Sequence, residues 1–349
     1  MIGRQIQLEH YPRDEVGPRH FALVEVPVRE PAEGEVLVRN TWTSVDPGLR
    51  LRMREQAPNG YFSAFELGRP MDGIMAVGEV LESRAAGFAP GDTVWHASGW
   101  RDYAVVQAGV GALSGLGTLR RLDTTMAPAR SYLGPLGGMG LTGYAGLLQV
   151  AGLRRGDTVW VSAAAGAVGS LAAQFGKLRG ARVIGSAGSD EKVRFLLDEL
   201  KLDAAFNYKN GPVDELVAKA APDGIDVYFD NVGGEHLEAA LGSLRRHGRV
   251  ALCGAVAQYN SGGTASEAAG PRNLFQATAN ELTLRGFRGS SYVGLLDEMQ
   301  REVGAWIRDG RLRYRETVWP GLEHAPEALA RMLAGESMGK TLVSIPPLS

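Results

Sequence analysis

The strand-like run 158–164, TVWVSAA, leads directly into Ala164-Ala165-Gly166-Ala167-Val168-Gly169, and a helical pattern follows from about 167 to 179. This is the G-x-G-x-x-G arrangement of dinucleotide-binding folds with alanine at its first position. Gly166 lets backbone approach a pyrophosphate, and Gly169 lets the helix pack closely on the strand. The helix start then offers unpaired N–H groups and a positive dipole end to the phosphates. A glycine turn alone also serves plain packing; here it opens a series of strand–helix units.

That series continues with a strand over 181–188 and a helix over 190–200, led by Ser189 as N-cap with acids in the first turn. AAFNY (204–208), a helix near 212–220, IDVYFDNV (225–232), a helix near 234–245 and RVALCGAV (249–256) follow. Such alternation predicts an α/β fold, an open, doubly wound parallel sheet with helices on both faces. Before about 128 the texture differs. Short alternating runs such as GEVLVRNTWTSV and GDTVWHASGWRDYAVVQ, broken by Gly, Pro and Asp, predict a strand-rich domain. The expected division is 1–128 for that domain, 129–304 for the dinucleotide domain, and 305–349 returning to complete the first. A chain of 349 residues fits two domains. The small, polar stretch 258–272 is expected to be a mobile loop.

Cofactor choice follows from the second strand. NAD-specific folds place an acid near its tip to hold ribose hydroxyls. Here the strand ends Ser186-Ala187-Gly188-Ser189, and Lys192 follows one helical turn later. Asp190 is the counter-argument, with a place in the first helical turn as its other role; Lys192 is compatible with a phosphate contact or a solvated helix face. The missing acid selects NADPH.

Other chemistry is largely excluded. Cys253 is the only cysteine, which rules out an intramolecular disulfide and thiolate-rich zinc sites, and it is expected inside an apolar strand as a small core residue. The histidines at 10, 20, 96, 236, 247 and 324 form no metal-binding spacing, so no metal is expected. Neither a G-x-S-x-G elbow nor a G-x-x-x-x-G-K-[ST] loop occurs. A net charge of -2 with scattered basic residues argues against nucleic acid and membrane surfaces as partners. No stretch has the length of a membrane span and no leader is evident, so a cytoplasmic location is expected. What remains is hydride transfer assisted by hydrogen bonds. Tyr259, just past the 249–256 strand, is placed either to donate one or to face solvent in a loop.

The chain resembles the zinc-independent medium-chain reductases that act on alkenals and oxo-prostaglandins, with curcumin reductases among their bacterial relatives. The resemblance runs through Ser44-Val45-Asp46-Pro47, the 161–169 fingerprint, Ala187-Gly188-Ser189-Asp190-Glu191-Lys192 and Asp203-Ala204-Ala205-Phe206-Asn207-Tyr208-Lys209. It continues through Tyr228-Phe229-Asp230-Asn231-Val232-Gly233-Gly234, Cys253-Gly254-Ala255 and Met338-Gly339-Lys340. It implies a GroES-like N-terminal domain, a Rossmann domain, a substrate cleft between them and a homodimer. It further implies that Gly166, Ala167, Val168, Gly169, Gly188 and Ser189 line the cofactor and that Lys192 and Tyr208 meet the 2′-phosphate. Asn231, Cys253, Gly254, Ala255, Phe287 and Gly289 would lie along the cofactor, with Thr142 near the nicotinamide. Tyr259 and Asn260 would reach the site, Tyr259 touching cofactor or the substrate carbonyl.

Three positions depart from the family pattern. Gly48 replaces a tyrosine that commonly lines the substrate pocket, and Gly138 replaces a methionine near the nicotinamide. Ser337 stands where a cofactor-contacting asparagine is usual. The two glycines are expected to remove bulk near the substrate. The resulting expectation is NADPH-dependent reduction of the carbon–carbon double bond of an α,β-unsaturated ketone or aldehyde. A quinone reductase of the same superfamily and a non-catalytic NADPH-binding protein are the alternatives.

Overall fold

A computed structural model describes residues 1–260 and 270–347 of the chain. Most of the expected loop at 258–272 (residues 261–269) lies outside the described residues. The chain divides into two compact units: Met1–Gly138 with the segment from Glu316 on, and Met139–Arg315.

In the first unit, β1 (Ile2–Leu8) and β2 (Phe21–Pro27) form an antiparallel pair. The long strand β3 (Glu35–Ser44) alternates, and its Val36 and Val38 are fully buried. They pack with Val80 of β4 (Ala76–Ser83) and Val94 of β5 (Thr93–His96). Between β3 and β4 lies the short helix α1 (Leu49–Arg52). The strand β6 (Tyr103–Gln107) pairs with β3, and β7 (Arg120–Arg121) pairs with β5.

The second unit opens with α2 (Gly138–Ala145), whose first residue belongs to the first unit. Its strands are β8 (Thr158–Val161), β9 (Arg182–Ala187), β10 (Ala204–Asn207), β11 (Ile225–Asp230), β12 (Leu244–Leu252) and β13 (Thr283–Gly286). They form one sheet in the order β10-β9-β8-β11-β12-β13 with every pairing parallel. All four residues of β8 are buried, as a strand covered on both faces requires. The intervening helices are α3 (Ala167–Leu178), α4 (Asp190–Arg194), α5 (Val213–Ala220) and α6 (Gly234–Ser243). Beyond β12 come α7 (Phe275–Ala279) and α8 (Leu296–Arg308). Trp160 on β8 anchors the core on one face with Ile184, Phe206, Val217 and Tyr228.

The chain then returns to the first unit with β14 (Glu316–Pro320), α9 (Ala325–Leu333) and β15 (Lys340–Ser344). β15 lies between β14 and β3. The buried Lys340 ammonium donates to the Val45 carbonyl at 2.7 Å and to Asp46 Oδ1 at 2.8 Å. This ties the Met338-Gly339-Lys340 tail to the Ser44-Val45-Asp46-Pro47 turn, far apart in sequence.

Two expectations require correction. The helix expected over 190–200 is α4 followed by a wider π-helical turn, Phe195–Glu199. Cys253 is not inside a strand: β12 ends at Leu252, because the Cys253 and Gly254 N–H groups both donate to the Asp230 carbonyl, at 2.9 and 3.0 Å. Among the described residues no helix is long and apolar enough to cross a membrane.

Candidate functional site

From β8 the chain winds outward through β9 to β10, then returns across to β11 on the other side of β8. The connections leave the carboxyl ends of β8 and β11 in opposite directions, which opens a crevice there. The fingerprint fills the β8 side of it. Ala163 adopts the left-handed region, φ 46°, and its carbonyl accepts from Gly166 N–H at 2.9 Å. Gly166 is the N-cap of α3, extended and without a side chain over the helix start. A Cβ on Gly169 would lie 2.3 Å from the Ala163 carbonyl oxygen, so only glycine allows α3 to approach this turn. The N–H groups of Ala167, Val168 and Gly169 belong to the first helical turn, which has no intrahelical acceptors to offer them.

The tips of β9 and β10 form a second cluster. Ser189 caps α4, its hydroxyl accepting from Lys192 N–H at 3.3 Å. Tyr208 reaches over Gly188, its hydroxyl 3.0 Å from where a Cβ would stand, and meets His236 edge-on with ring centroids 5.0 Å apart. His236 in turn stacks on Trp160, so the ring of Tyr208 rests on the sheet core. Burial, and secondarily the charge of Lys209, lower the Lys192 ammonium below its ordinary range. Two ammonium groups within Coulombic reach of each other, with Tyr208 beside Lys209 in the chain, form a corner suited to a phosphate. Asp190 stands at the start of α4, where Asn207 and Asn210 donate to its carboxylate.

At the end of β11 the structure gives a central place to Asp230, which the motif contains but which had no expected role. This buried carboxylate accepts through Oδ1 from Tyr228 Oη at 2.8 Å, Val232 N–H at 3.0 Å and Gly233 N–H at 2.9 Å. Burial raises its carboxyl above the usual range despite these donors. Ser162 joins it: Asn231 donates its backbone N–H to Ser162 Oγ and its side-chain amide to the Ser162 carbonyl. An acid closing a strand just before Asn-x-Gly-Gly is the one sequence signal that could have revealed this hub.

Cys253, Gly254 and Ala255 sit against that turn. Burial, with Asp230 nearby, pushes the Cys253 thiol up to about 12, which removes it as a nucleophile near neutral pH. Tyr259 follows a 3-10 turn, Val256–Gln258, and its hydroxyl folds back to accept from Ala255 N–H at 3.4 Å. Gly254 makes room for it: a Cβ there would lie 3.0 Å from the Tyr259 hydroxyl. Asn260 comes next, at the end of the described segment.

Thr142 and Gly289 are brought into contact, a Cβ on Gly289 falling 2.1 Å from Thr142 Oγ1. Phe287 packs edge-on against Phe229 of β11. Ser337 is not part of this unit; it lies in the other, half-buried just before β15. Gly48 and Gly138, where bulk was expected to be lost, each have a side chain beside the point where their own would begin. The Tyr61 hydroxyl lies 2.8 Å from a Cβ on Gly48, and Leu116 Cδ2 lies 3.2 Å from one on Gly138. Both neighbours are side chains of the same unit.

Among the described residues no group of three or more His, Cys, Asp or Glu side chains is placed to hold a metal ion. The family described as "N-terminal domain of oxidoreductase" matches residues 4–112, and that described as "Zinc-binding dehydrogenase" matches 167–307. The chain is 37% identical to the 2-alkenal reductase (NADP(+)-dependent) of Nicotiana tabacum over 336 residues, covering 96% of this chain and 94% of that protein. It is 36% identical to the NADPH-dependent curcumin reductase of Escherichia coli (strain K12) over 333 residues, 94% and 92% of the two chains. The crystal structure of CurA in complex with NADPH from Vibrio vulnificus superposes with a TM-score of 0.89 at 33% identity, covering 99% and 100%.

Proposed function

Because the chain belongs to the medium-chain dehydrogenase/reductase family, alongside the NADP-dependent alkenal, prostaglandin and curcumin reductases, we propose that it binds NADPH and reduces an activated carbon–carbon double bond. The substrate class is α,β-unsaturated ketones and aldehydes, and no metal ion takes part. The observation that carries the cofactor reading is the pairing of two features on one sheet edge. A glycine cradle at a helix N-terminus faces the crevice between β8 and β11, and Lys192, Lys209 and Tyr208 cluster at the tip of β9. The residues fit the group: Gly166 leaves the start of α3 without a side chain, and Asp190, near the β9 tip, is already engaged by Asn207 and Asn210.

NADPH, when bound, would supply a hydride to the β-carbon of the enone, and a proton from solvent would then add at the α-carbon to give the saturated product. The N–H groups opening α3 would hold the pyrophosphate, and Lys192 with Tyr208 would hold the 2′-phosphate. Asn231, held by Ser162, and the Cys253-Gly254-Ala255 turn, held by the Asp230 carbonyl, line the crevice beside them. Thr142 and Gly289, in contact with each other, would meet the nicotinamide end. Tyr259 donates a hydrogen bond to the carbonyl oxygen of the substrate, where negative charge accumulates as the β-carbon becomes saturated. Its hydroxyl stands over the Gly254 turn, beside the Ala255 N–H from which it accepts.

The test is oxidation of NADPH by the purified protein with an enone, an enal and a simple quinone offered side by side, and the product identified. Formation of the saturated ketone, faster with NADPH than NADH and unaffected by a chelator, is the expected result. Turnover of the quinone alone would replace this reading with a quinone reductase. Binding of NADPH with oxidation by no acceptor would make the protein a non-catalytic binder.

A further inference from the structure

One charged group beside the cofactor crevice has no part in holding NADPH directly. Asp190 stands two residues beyond Gly188, near where an acid would read ribose hydroxyls in an NAD-binding fold. Its carboxylate is engaged elsewhere. Oδ1 accepts from Asn207 Nδ2 at 2.8 Å and from Asn210 Nδ2 at 3.3 Å, two residues on the neighbouring strand's exit. The Asn207 side chain is held at its other end as well, its Oδ1 accepting from Lys209 N–H at 3.1 Å.

The segment between the two asparagines is Tyr208-Lys209. The β9–β10 ladder ends at the pair Ala187↔Asn207, and the chain then enters a three-residue 3-10 turn, Tyr208–Asn210, exposed to solvent. Such a turn has few backbone bonds of its own to fix it. Asp190 bridges it to the start of α4, the helix that carries Lys192. The bridge spans both flanks of the residues that face the phosphate corner.

We propose that Asp190 is a positioning residue that clamps the 207–210 turn through Asn207 and Asn210, holding Tyr208 and Lys209 beside Lys192 as one site for the 2′-phosphate. An acid beside a phosphate site would by its charge alone oppose NADPH; as a clamp it favours it. The two roles therefore predict opposite signs for its removal.

The inference rests on the NADPH reading, and binding measurements separate the two. Full-length protein is titrated with NADPH, NADH and 2′,5′-ADP, following protein fluorescence or heat. The wild type is expected to favour NADPH over NADH; absence of that preference overturns the cofactor reading and the clamp with it. With the preference present, Asp190→Ala is expected to weaken NADPH and 2′,5′-ADP by about tenfold while NADH changes by less than about twofold. Asp190→Asn keeps an acceptor oxygen for both asparagines and is expected to stay within about threefold of wild type. In the ligand-free protein, amide exchange over 207–210 should accelerate in Asp190→Ala and not in Asp190→Asn. Equal or tighter NADPH binding by Asp190→Ala, a larger loss for NADH than NADPH, or an Asp190→Asn as weak as Asp190→Ala would each overturn the clamp and leave the NADPH reading standing.

Discussion

The Tyr61 hydroxyl lies 2.8 Å from the place a Cβ on Gly48 would take, so the space left by the glycine is already held by a tyrosine from further along the chain. Gly48→Tyr alone must displace Tyr61, and overpacking of this kind costs about 1–3 kcal/mol. Adding Tyr61→Ala should recover most of it. Urea unfolding of the two single variants and the double variant is expected to give a coupling of about 1 kcal/mol or more. Strictly additive losses would show that the two residues do not share one space.

The two fingerprint glycines should respond differently to a methyl group. At Gly169 the added carbon would fall 2.3 Å from the Ala163 oxygen, and at Gly166 it would fall 3.2 Å away. Gly169→Ala is expected to cost about 1–3 kcal/mol of stability and to weaken NADPH binding at least about tenfold. Gly166→Ala should leave the melting temperature near wild type and act mainly on NADPH affinity. Equal melting temperatures for both variants would remove the packing argument for Gly169.

Tyr259→Phe should lower kcat for enone reduction by about a hundredfold, the usual effect of losing one donor to a developing oxyanion. NADPH affinity should change little, since the ring still covers the Gly254 turn. An unchanged kcat would remove Tyr259 from the mechanism.

His236 is held neutral by burial, which lowers its pKa to about 4, against an ordinary value near 6.5. The unfolded chain therefore binds a proton that the folded chain refuses between these values. Stability from this group is fully present above about pH 6.5 and falls as the pH drops towards 4, by about 1.4 kcal/mol per pH unit at the steepest. His236→Phe keeps a ring against Trp160 and removes that titration. Unfolding free energy measured at pH 7 and pH 5 should fall less in the variant. His96, buried and lowered to about 3, adds a slope of the same sign that persists in both proteins.

Lys340→Met leaves the Asp46 carboxylate and the Val45 carbonyl without their shared donor. Breaking a buried pair costs about 3–5 kcal/mol, and the lower end is expected because Asp46 keeps contact with water. Pairing it with Asp46→Asn should restore part of the loss in urea unfolding. A Lys340→Met protein as stable as wild type would show that the tail is held by β15 alone.

Residue order alone was enough for the parallel sheet, the cradle at Gly166 and Gly169 and the cap at Ser189. Each is written in contiguous residues whose periodicity or backbone freedom acts locally. The lack of an acid at the β9 tip was equally legible, but the role of Asp190 was not, because its partners Asn207 and Asn210 sit a strand away. The same limit hid Asp230, whose donors come from several turns, and misplaced Cys253, whose apolar neighbours continue past the point where the ladder stops. That Tyr61 and Leu116 stand at Gly48 and Gly138 became visible in the folded chain alone. A local pattern reports that a side chain is missing, whereas which distant atom fills the space depends on how the chain packs.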